Sequence, residues 1–265
     1  MAGVRGGLTM EVVFASSPGP GGTNEDALVA GADFAVVIDG ATAEPDTDPG
    51  CVHGVRWFAV SVASELGRLL TGDAARALPL ADVLHRALDA VGRSHAHTCD
   101  LTNPCSPSGT VAMVRTGAGG IEYLVLGDAA FVAEEERGEV RVVSDDRIRR
   151  FDDRPWAALR QVRNVPDGFW VAGSRPEAAH HAITGALPLA RLSRAALLTD
   201  GASRLVERYG WGWPALLDLL ETHGPADLIA QTRAAERATP PGSFPGKAHD
   251  DATAVLCRFP GGRQR

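Results

Sequence analysis

The chain has 265 residues, of which 45% are hydrophobic and 22% charged, an ordinary composition for a globular protein with a sizeable core. Its 26 lysines and arginines against 33 aspartates and glutamates give a formal charge of −7, and no basic stripe stands out, which argues against a nucleic-acid partner. No apolar run approaches the roughly 20 residues of a membrane span, and the N-terminus lacks a signal-peptide core.

The cysteines show no tight repeated spacing. They are Cys51, Cys99, Cys105 and Cys257. In a chain without a secretion signal, cysteines of this kind are expected to be reduced thiols. We therefore expect a cytoplasmic protein that acts without a membrane, and we expect it to be a monomer.

The first part of the chain predicts three strands and then two helices. Short runs rich in β-branched residues, bounded by glycine and proline, predict strands at 10–15, 27–30 and 34–38. Apolar residues that recur at spacings of three and four predict helices over about 52–70 and 79–97.

The second part predicts closely spaced strands and a C-terminal helical pair. The strands are expected at 108–116, 120–127, 129–135, 139–143, 193–199 and 252–259. The short connections among the first four indicate antiparallel pairing, because parallel strands need a crossover of a dozen or more residues. The segment 145–190, broken by prolines, mixes helix with irregular structure, and helices are expected near 213–221 and 225–237.

The order of these elements predicts the fold class. Strands group together and long helices come in pairs, which favours an α+β fold with antiparallel sheets over alternating β-α units. Since no linker separates two cores, we expect one domain over residues 1–265.

Three of the apolar runs end directly in an aspartate, at Asp39, Asp128 and Asp200. A carboxylate at a buried strand end costs free energy unless it is paired or bound to a cation. If the strands share one core, their aspartates converge at one rim.

Two further acidic pairs, Glu25-Asp26 and Asp250-Asp251, lie beside strands. One Asp-Gly dipeptide is usually only a turn, but five acidic positions at strand edges are harder to explain as separate turns. Ligands that are all oxygen favour Mg²⁺ or Mn²⁺ over zinc.

Six short motifs now form an ordered series. They are Asn24-Glu25-Asp26, Val37-Ile38-Asp39-Gly40, Ser108-Gly109-Thr110, Leu126-Gly127-Asp128, Leu198-Thr199-Asp200-Gly201 and Asp250-Asp251-Ala252-Thr253. In order and rough spacing the series resembles the metal-dependent serine/threonine protein phosphatases of type 2C, in their bacterial branch. The resemblance covers about residues 10–259 and implies two packed antiparallel sheets flanked by helix pairs, an α-β-β-α sandwich with a variable flap at about 145–190.

The resemblance implies a catalytic centre with two Mn²⁺ or Mg²⁺ ions. Asp39 resembles the carboxylate that bridges both metals, with the Gly40 carbonyl as a further ligand. Asp200 and Asp250 resemble the aspartates that complete one metal's shell. The implied reaction is attack of a metal-bridging hydroxide on phosphoserine or phosphothreonine of a protein, in a signalling role.

Three more acidic residues have implied roles in this centre. Glu25 matches the residue that serves the second metal through water, and Asp26 matches its supporting neighbour. Asp128 falls where the family places a ligand of a third, weaker metal.

The chain departs from the family at two positions that bear on phosphate binding. Gly21 stands where the family usually carries an arginine that binds the substrate phosphate. Arg204 stands where many members have an aspartate for the third metal. We hypothesise that Arg204, or another arginine such as Arg56, supplies the missing phosphate contact.

These departures leave two alternatives open. One is a non-catalytic scaffold that binds phosphoproteins, and the other is a phosphatase for a small phosphorylated metabolite. Because Asp39, Asp200 and Asp250 are intact, an active protein phosphatase is the preferred interpretation.

Other polar clusters have a simpler explanation. His95, His97, Cys99 and Cys105 lie close together, but only His95 and Cys99 share a helical face, so a polar helix end is preferred to a zinc site. The arginines at 147–163 form either a basic edge for an acidic phosphosubstrate or an ordinary solvated helix face.

Overall fold

Ten strands form two five-stranded sheets in the computed structural model, which describes residues 10–20, 22–42, 46–117, 119–151 and 154–259. Every pairing within the sheets is antiparallel. In spatial order the first sheet contains β1 (Glu11–Ser17), β10 (Ala252–Arg258), β9 (Leu192–Leu198), β6 (Ala130–Glu135) and β7 (Val140–Val143). The second contains β2 (Ala27–Ala30), β3 (Phe34–Gly40), β4 (Gly109–Gly117), β5 (Gly120–Leu126) and β8 (Ile183–Leu187).

Helices cover the outer face of each sheet. The α-helices are α1 (Gly54–Leu70), α2 (Asp73–Arg76), α3 (Leu80–His95), α4 (Trp156–Val162), α5 (Asp200–Glu207), α6 (Trp213–His223) and α7 (Pro225–Ala238). Short 3-10 turns occur at Glu136–Gly138, Asp146–Phe151, Pro176–His181 and Leu189–Arg191. Among the helices described, none combines the length and apolar character that crossing a bilayer requires.

The alternation of side chains along each strand builds three apolar layers. In β3, Phe34, Val36 and Ile38 pack against α1 and α3, whereas Ala35 and Val37 face the other sheet. The α5–α7 helices cover the first sheet in the same way. This α-β-β-α sandwich confirms the fold expected from the resemblance.

Two features of the topology differ from the sequence expectation. The closely spaced β5 and β6 lie in different sheets, and the chain crosses between them at Gly127, whose φ of +81° suits glycine. The segment 145–190 contains a strand, β8, which pairs with β5. This edge strand is mostly exposed and lacks the apolar pattern that would have predicted it.

The start of α5 packs tightly on the segment that enters β10. A Cβ added to Gly201 would lie 1.9 Å from the backbone oxygen of Asp251, which is far inside contact distance. Glycine at this position therefore allows Asp200 to approach the Asp250-Asp251 pair.

We predict that Gly201→Ala lowers the free energy of unfolding by about 2–3 kcal/mol, because the new methyl group would push α5 away from β10. Chemical denaturation followed by circular dichroism measures this change. Gly117→Ala is the matched control, since a Cβ there meets no atom within 4 Å. Equal stability of the two variants would contradict the prediction.

Candidate metal centre

The acidic strand ends of the two sheets meet at one edge of the sandwich. Asp39 closes β3, and Asp200 opens α5 immediately after β9. The backbone N–H of Asp200 donates to Oδ2 of Asp39 at 3.2 Å, so the end of β3 meets the start of α5 at this point. A cleft of about 420 Å³ opens here. Its acidic lining consists of Glu25, Asp39, Asp128, Asp200 and Asp250.

The structure thus brings together all the carboxylates that the sequence predicts as metal ligands or their neighbours. Gly40 lines the same cleft, and Asp26 lies beneath it as a buried neighbour. A Cβ on Gly40 would lie 2.5 Å from the backbone oxygen of Glu25, so glycine lets these two segments approach closely. The predicted acidic residues and Gly40 therefore lie around one pocket, and the backbone segments that carry Glu25 and Gly40 are in close contact.

Crowding of buried negative charge changes the acidity of this cluster. Burial, together with the nearby charges of Asp200, Asp26 and Asp128, raises the pKa of Asp39 well above its ordinary value. Burial and the charges of Asp128 and Asp250 raise the pKa of Asp200 to about 7, against the opposing effect of Arg204. At neutral pH these buried carboxylates therefore resist ionisation, and a bound cation would relieve the repulsion between their negative charges.

Two carboxylate oxygens in this cluster are buried and have no hydrogen-bond partner within the described chain: Oδ1 of Asp26 and Oδ1 of Asp200. The other oxygen of Asp26, Oδ2, accepts a hydrogen bond from Thr199 Oγ1 at 2.9 Å. Buried polar atoms without partners are rare in folded proteins. Because the donors are all oxygen and two of them lack partners, the residues fit a hard divalent cation such as Mg²⁺ or Mn²⁺.

Asp251 positions the loop that carries Glu25. Its Oδ1 accepts from the backbone N–H of Gly19 at 2.7 Å, and its Oδ2 accepts from that of Glu25 at 2.6 Å. The carboxylate therefore joins the segment before β2 to the start of β10. This gives a structural role to the second residue of the Asp250-Asp251 pair.

Arg204 is buried in an ion-pair network, with a relative exposure of 1%. Its Nη1 donates to Glu236 Oε1 at 2.6 Å, and its Nη2 donates to Asp250 Oδ2 at 3.3 Å. Glu236 also binds Arg233 and His249. This placement argues against the phosphate-binding role expected for Arg204, because the guanidinium is buried and paired. It indicates instead that Arg204 orients Asp250.

The other arginine in that hypothesis, Arg56, donates from Nη1 to the backbone oxygen of Asn24. It thus supports the loop before Glu25 and is absent from the lining of the cleft as described. Gly21, where the family usually has its phosphate-binding arginine, lies outside the described residues.

Three cations line the cleft: Lys247, Arg160 and Arg163. Lys247 Nζ donates to Asp250 Oδ1 and to Thr42 Oγ1, both at 2.7 Å. Arg163 donates to Ser108 Oγ at 2.7 Å and also to the backbone of the adjoining loop, so it is held in place.

Among the described residues, Arg160 has one polar contact, 3.5 Å from its Nη1 to Cys105 Sγ, so it is less constrained than Lys247 and Arg163. The sequence had marked the arginine cluster that contains it. Lys247 went unnoticed, because it follows an irregular proline- and glycine-rich loop without a periodic pattern.

Comparison with known proteins relates this geometry to a family and to solved structures. The family model described as protein phosphatase 2C matches residues 19–232. A bacterial serine phosphatase of known structure is 14% identical, with 97% of this chain and 100% of that chain covered and a TM-score of 0.64. A comparison with curated protein sequences gave no match.

Two further solved structures share the fold. The PPM Ser-Thr phosphatase from Mycobacterium smegmatis, in complex with cacodylate, is 16% identical, covers 96% of this chain and 100% of its own, and has a TM-score of 0.61. A serine/threonine phosphatase from Staphylococcus aureus is 14% identical, covers 98% and 100%, and has a TM-score of 0.62.

We predict that the metal-free protein loses stability as pH rises from about 4 to about 7. The folded state keeps the proton of Asp200 up to a pKa of about 7, whereas the unfolded chain releases it near 3.8. In this window the folded state binds more protons, so the free energy of unfolding falls with pH.

Denaturation of chelator-treated protein at several pH values measures this dependence. Asp200→Asn should make the fall shallower, because the amide does not ionise, whereas the raised pKa values of Asp26 and Asp39 keep part of the dependence. Asp73→Asn, at a fully exposed carboxylate, is the control and should leave the profile as in the native protein. A native profile that rises with pH across this window would contradict the prediction.

Proposed function

Because this chain belongs to the protein phosphatase 2C family and is thus a metal-dependent serine/threonine protein phosphatase, we propose that Asp39, Asp200 and Asp250 form its catalytic centre. The observation that carries this assignment is the meeting of the three carboxylates in one cleft, with a buried oxygen of Asp200 left without a partner. The family match disfavours both alternatives, the non-catalytic scaffold and the metabolite phosphatase.

The proposed cofactors are two Mn²⁺ or Mg²⁺ ions. Asp39 would hold both, and the Gly40 carbonyl would be a further ligand. Asp200 and Asp250 would complete the shell of one ion, and Glu25 would serve the other through water. When bound, such a pair of dications lowers the pKa of a shared water and neutralises phosphoryl oxygens.

Two further acidic residues support this centre. We assign Asp26 to hold the Glu25 segment in place, through its hydrogen bond with Thr199. We assign Asp128, which lines the same cleft, to a weaker third cation.

The residues of the chain supply orientation and charge. Arg204 and Arg233 fix the segment around Asp250, since they bind its side chain and backbone respectively. Asp251 fixes Glu25 in the same way from the other side. These contacts hold the ligand oxygens in place before any cation arrives, which limits the reorganisation that binding requires.

We assign phosphate binding to Lys247 and Arg160, the two cleft cations that are not locked into backbone contacts. Lys247 donates to Asp250, and Arg160 lines the same cleft from α4. The lining also contains the apolar residues Pro107, Leu159 and Phe169. A phosphoserine or phosphothreonine side chain on a protein suits such a cleft, with cations for the phosphate and apolar surface for the adjoining chain.

Several finer expectations stay predictions from the sequence. They are a cytoplasmic location, a monomeric state, a role in signalling, and one domain over residues 1–265 with a variable flap at about 145–190.

We predict that Asp39→Asn and Asp250→Asn each lower kcat for a phosphoserine peptide by at least about 100-fold, since loss of even an outer-shell partner costs 10–100-fold. Phosphate release is measured with Mn²⁺ or Mg²⁺ present and again after chelation, which should stop the reaction. Asp227→Asn on the exposed face of α7 is the control, with unchanged kcat expected. Full activity of Asp39→Asn, or of the chelated enzyme, would refute the assignment.

We further predict that Lys247→Gln and Arg160→Gln raise KM for the phosphopeptide roughly 10-fold, because each loses a charge-assisted hydrogen bond to phosphate. Initial-rate kinetics at saturating Mn²⁺ separate KM from kcat. Arg191→Gln, at an exposed arginine remote from the cleft lining, controls for overall charge. An unchanged KM in both variants would show that another group binds the phosphate.

A further inference from the structure

A second cluster of ligand-type side chains lies at the start of α1, apart from the carboxylates. Cys51 and His53 come from the segment before this helix, and Cys99 comes from the turn after α3. Both cysteines are free thiols. Their sulfur atoms lie 3.2 Å apart, and His53 Nδ1 lies 3.4 Å from Cys99 Sγ and 3.7 Å from Cys51 Sγ.

These separations are close to those of ligands around one tetrahedral zinc ion. Zn–S bonds of about 2.3 Å and Zn–N bonds of about 2.0 Å place two sulfurs about 3.8 Å apart and a sulfur and a nitrogen about 3.5 Å apart. The sulfur–nitrogen distances agree to within about 0.2 Å, and the sulfurs need to separate by only about 0.6 Å. Thiolate and imidazole are ligands that zinc prefers, whereas Mg²⁺ and Mn²⁺ prefer oxygen.

A buried histidine lies next to this cluster, outside the group of three whose ligand atoms lie within 4.8 Å of one another. His95, at the end of α3, is buried, and its ring centroid is 5.6 Å from that of His53. Its Nδ1 lies 2.7 Å from the carbonyl oxygen of Val91. A carbonyl only accepts, so Nδ1 carries the proton and Nε2 keeps its lone pair. Zinc-bound histidines usually have this arrangement, with the second ring nitrogen donating to a carbonyl or carboxylate.

We propose that Cys51, His53, His95 and Cys99 bind one Zn²⁺ ion. The sequence pattern places His95 and Cys99 beside His97 and Cys105, and for those four residues it favours a polar helix end over a zinc site. In the structure His97 is exposed and Cys105 contacts Arg160 in the cleft. The partners Cys51 and His53 lie more than 40 residues away in sequence, so local spacing did not reveal them.

The zinc joins two segments that lead into the wall of the catalytic cleft. Gly54 and Val55 follow His53 directly, and Pro104 follows the turn at Cys99 by a few residues. The two segments already share a hydrogen bond, from Asp100 N–H to the Gly50 oxygen at 2.7 Å. Four protein ligands make a closed site, so its role is to hold this wall in place.

The test uses the full chain, purified under reducing conditions without chelator and incubated with ZnSO₄. Elemental analysis should find about one zinc per chain after gel filtration, retained in the presence of excess Mg²⁺. Replacement by Co²⁺ should give the thiolate charge-transfer band and the intense visible bands of a tetrahedral site. Thiol titration of the metal-free reduced protein should count all four cysteines.

Matched variants test the ligand set. Cys51→Ser, Cys99→Ser and His95→Gln should each reduce zinc affinity at least about tenfold and weaken the Co²⁺ bands. Cys105→Ser and His97→Gln, at neighbouring positions outside the set, should keep both. Circular dichroism checks that each variant is folded, and the Co²⁺ spectrum of the native chain stands even if a variant does not fold.

Three outcomes would overturn the proposal: no zinc bound by the reduced native chain, a Cys51–Cys99 disulfide in place of metal binding, or unchanged zinc affinity in Cys51→Ser and Cys99→Ser. Unchanged affinity in His95→Gln would overturn the four-ligand assignment. These readouts are independent of phosphatase activity, so failure of the zinc proposal leaves the carboxylate centre untouched.

Discussion

The structure depends on one electrostatic constraint, the burial of several carboxylates at the edge where two sheets meet. Without positive charge such a cluster resists ionisation, as the raised pKa values of Asp39 and Asp200 indicate. The sandwich holds the side chains together despite this repulsion, because Asp39 is anchored in β3 and Asp200 at the start of α5. The fold therefore brings together carboxylate oxygens of the kind that hard dications prefer, which agrees with the metal dependence of the family.

Ion pairs around the carboxylate cluster neutralise part of its negative charge and leave the cleft open. Arg204 is the clearest case, since its position in the sequence suggested a substrate contact and its burial gives it a supporting one. Of the residues that the structure describes, the cations that line the cleft come from a loop (Lys247) and from α4 or its end (Arg160 and Arg163). Elements outside the sheets therefore supply these cations, whereas the strand ends position the carboxylates.

Much of the fold and of the acidic site was predictable from local patterns. Apolar runs and helical periodicity located nearly every long element to within about two residues, because the burial of one face imposes these periods. The exceptions have physical causes. The edge strand β8 has little apolar pattern, and the pairing of β5 with β8 rather than with β6 depends on a sheet crossing at Gly127 that only the three-dimensional arrangement defines.

The sequence by itself therefore determined the acidic residue set and the family resemblance, because strand-end aspartates beside apolar runs are visible within a few residues. Tertiary structure alone decided which cations pair with that set and which line the cleft. It also placed Cys51 and His53 against Cys99, at a separation in sequence that local spacing does not register. The reason is common to both cases: contacts between side chains on different elements follow from packing, and packing is a property of the whole chain.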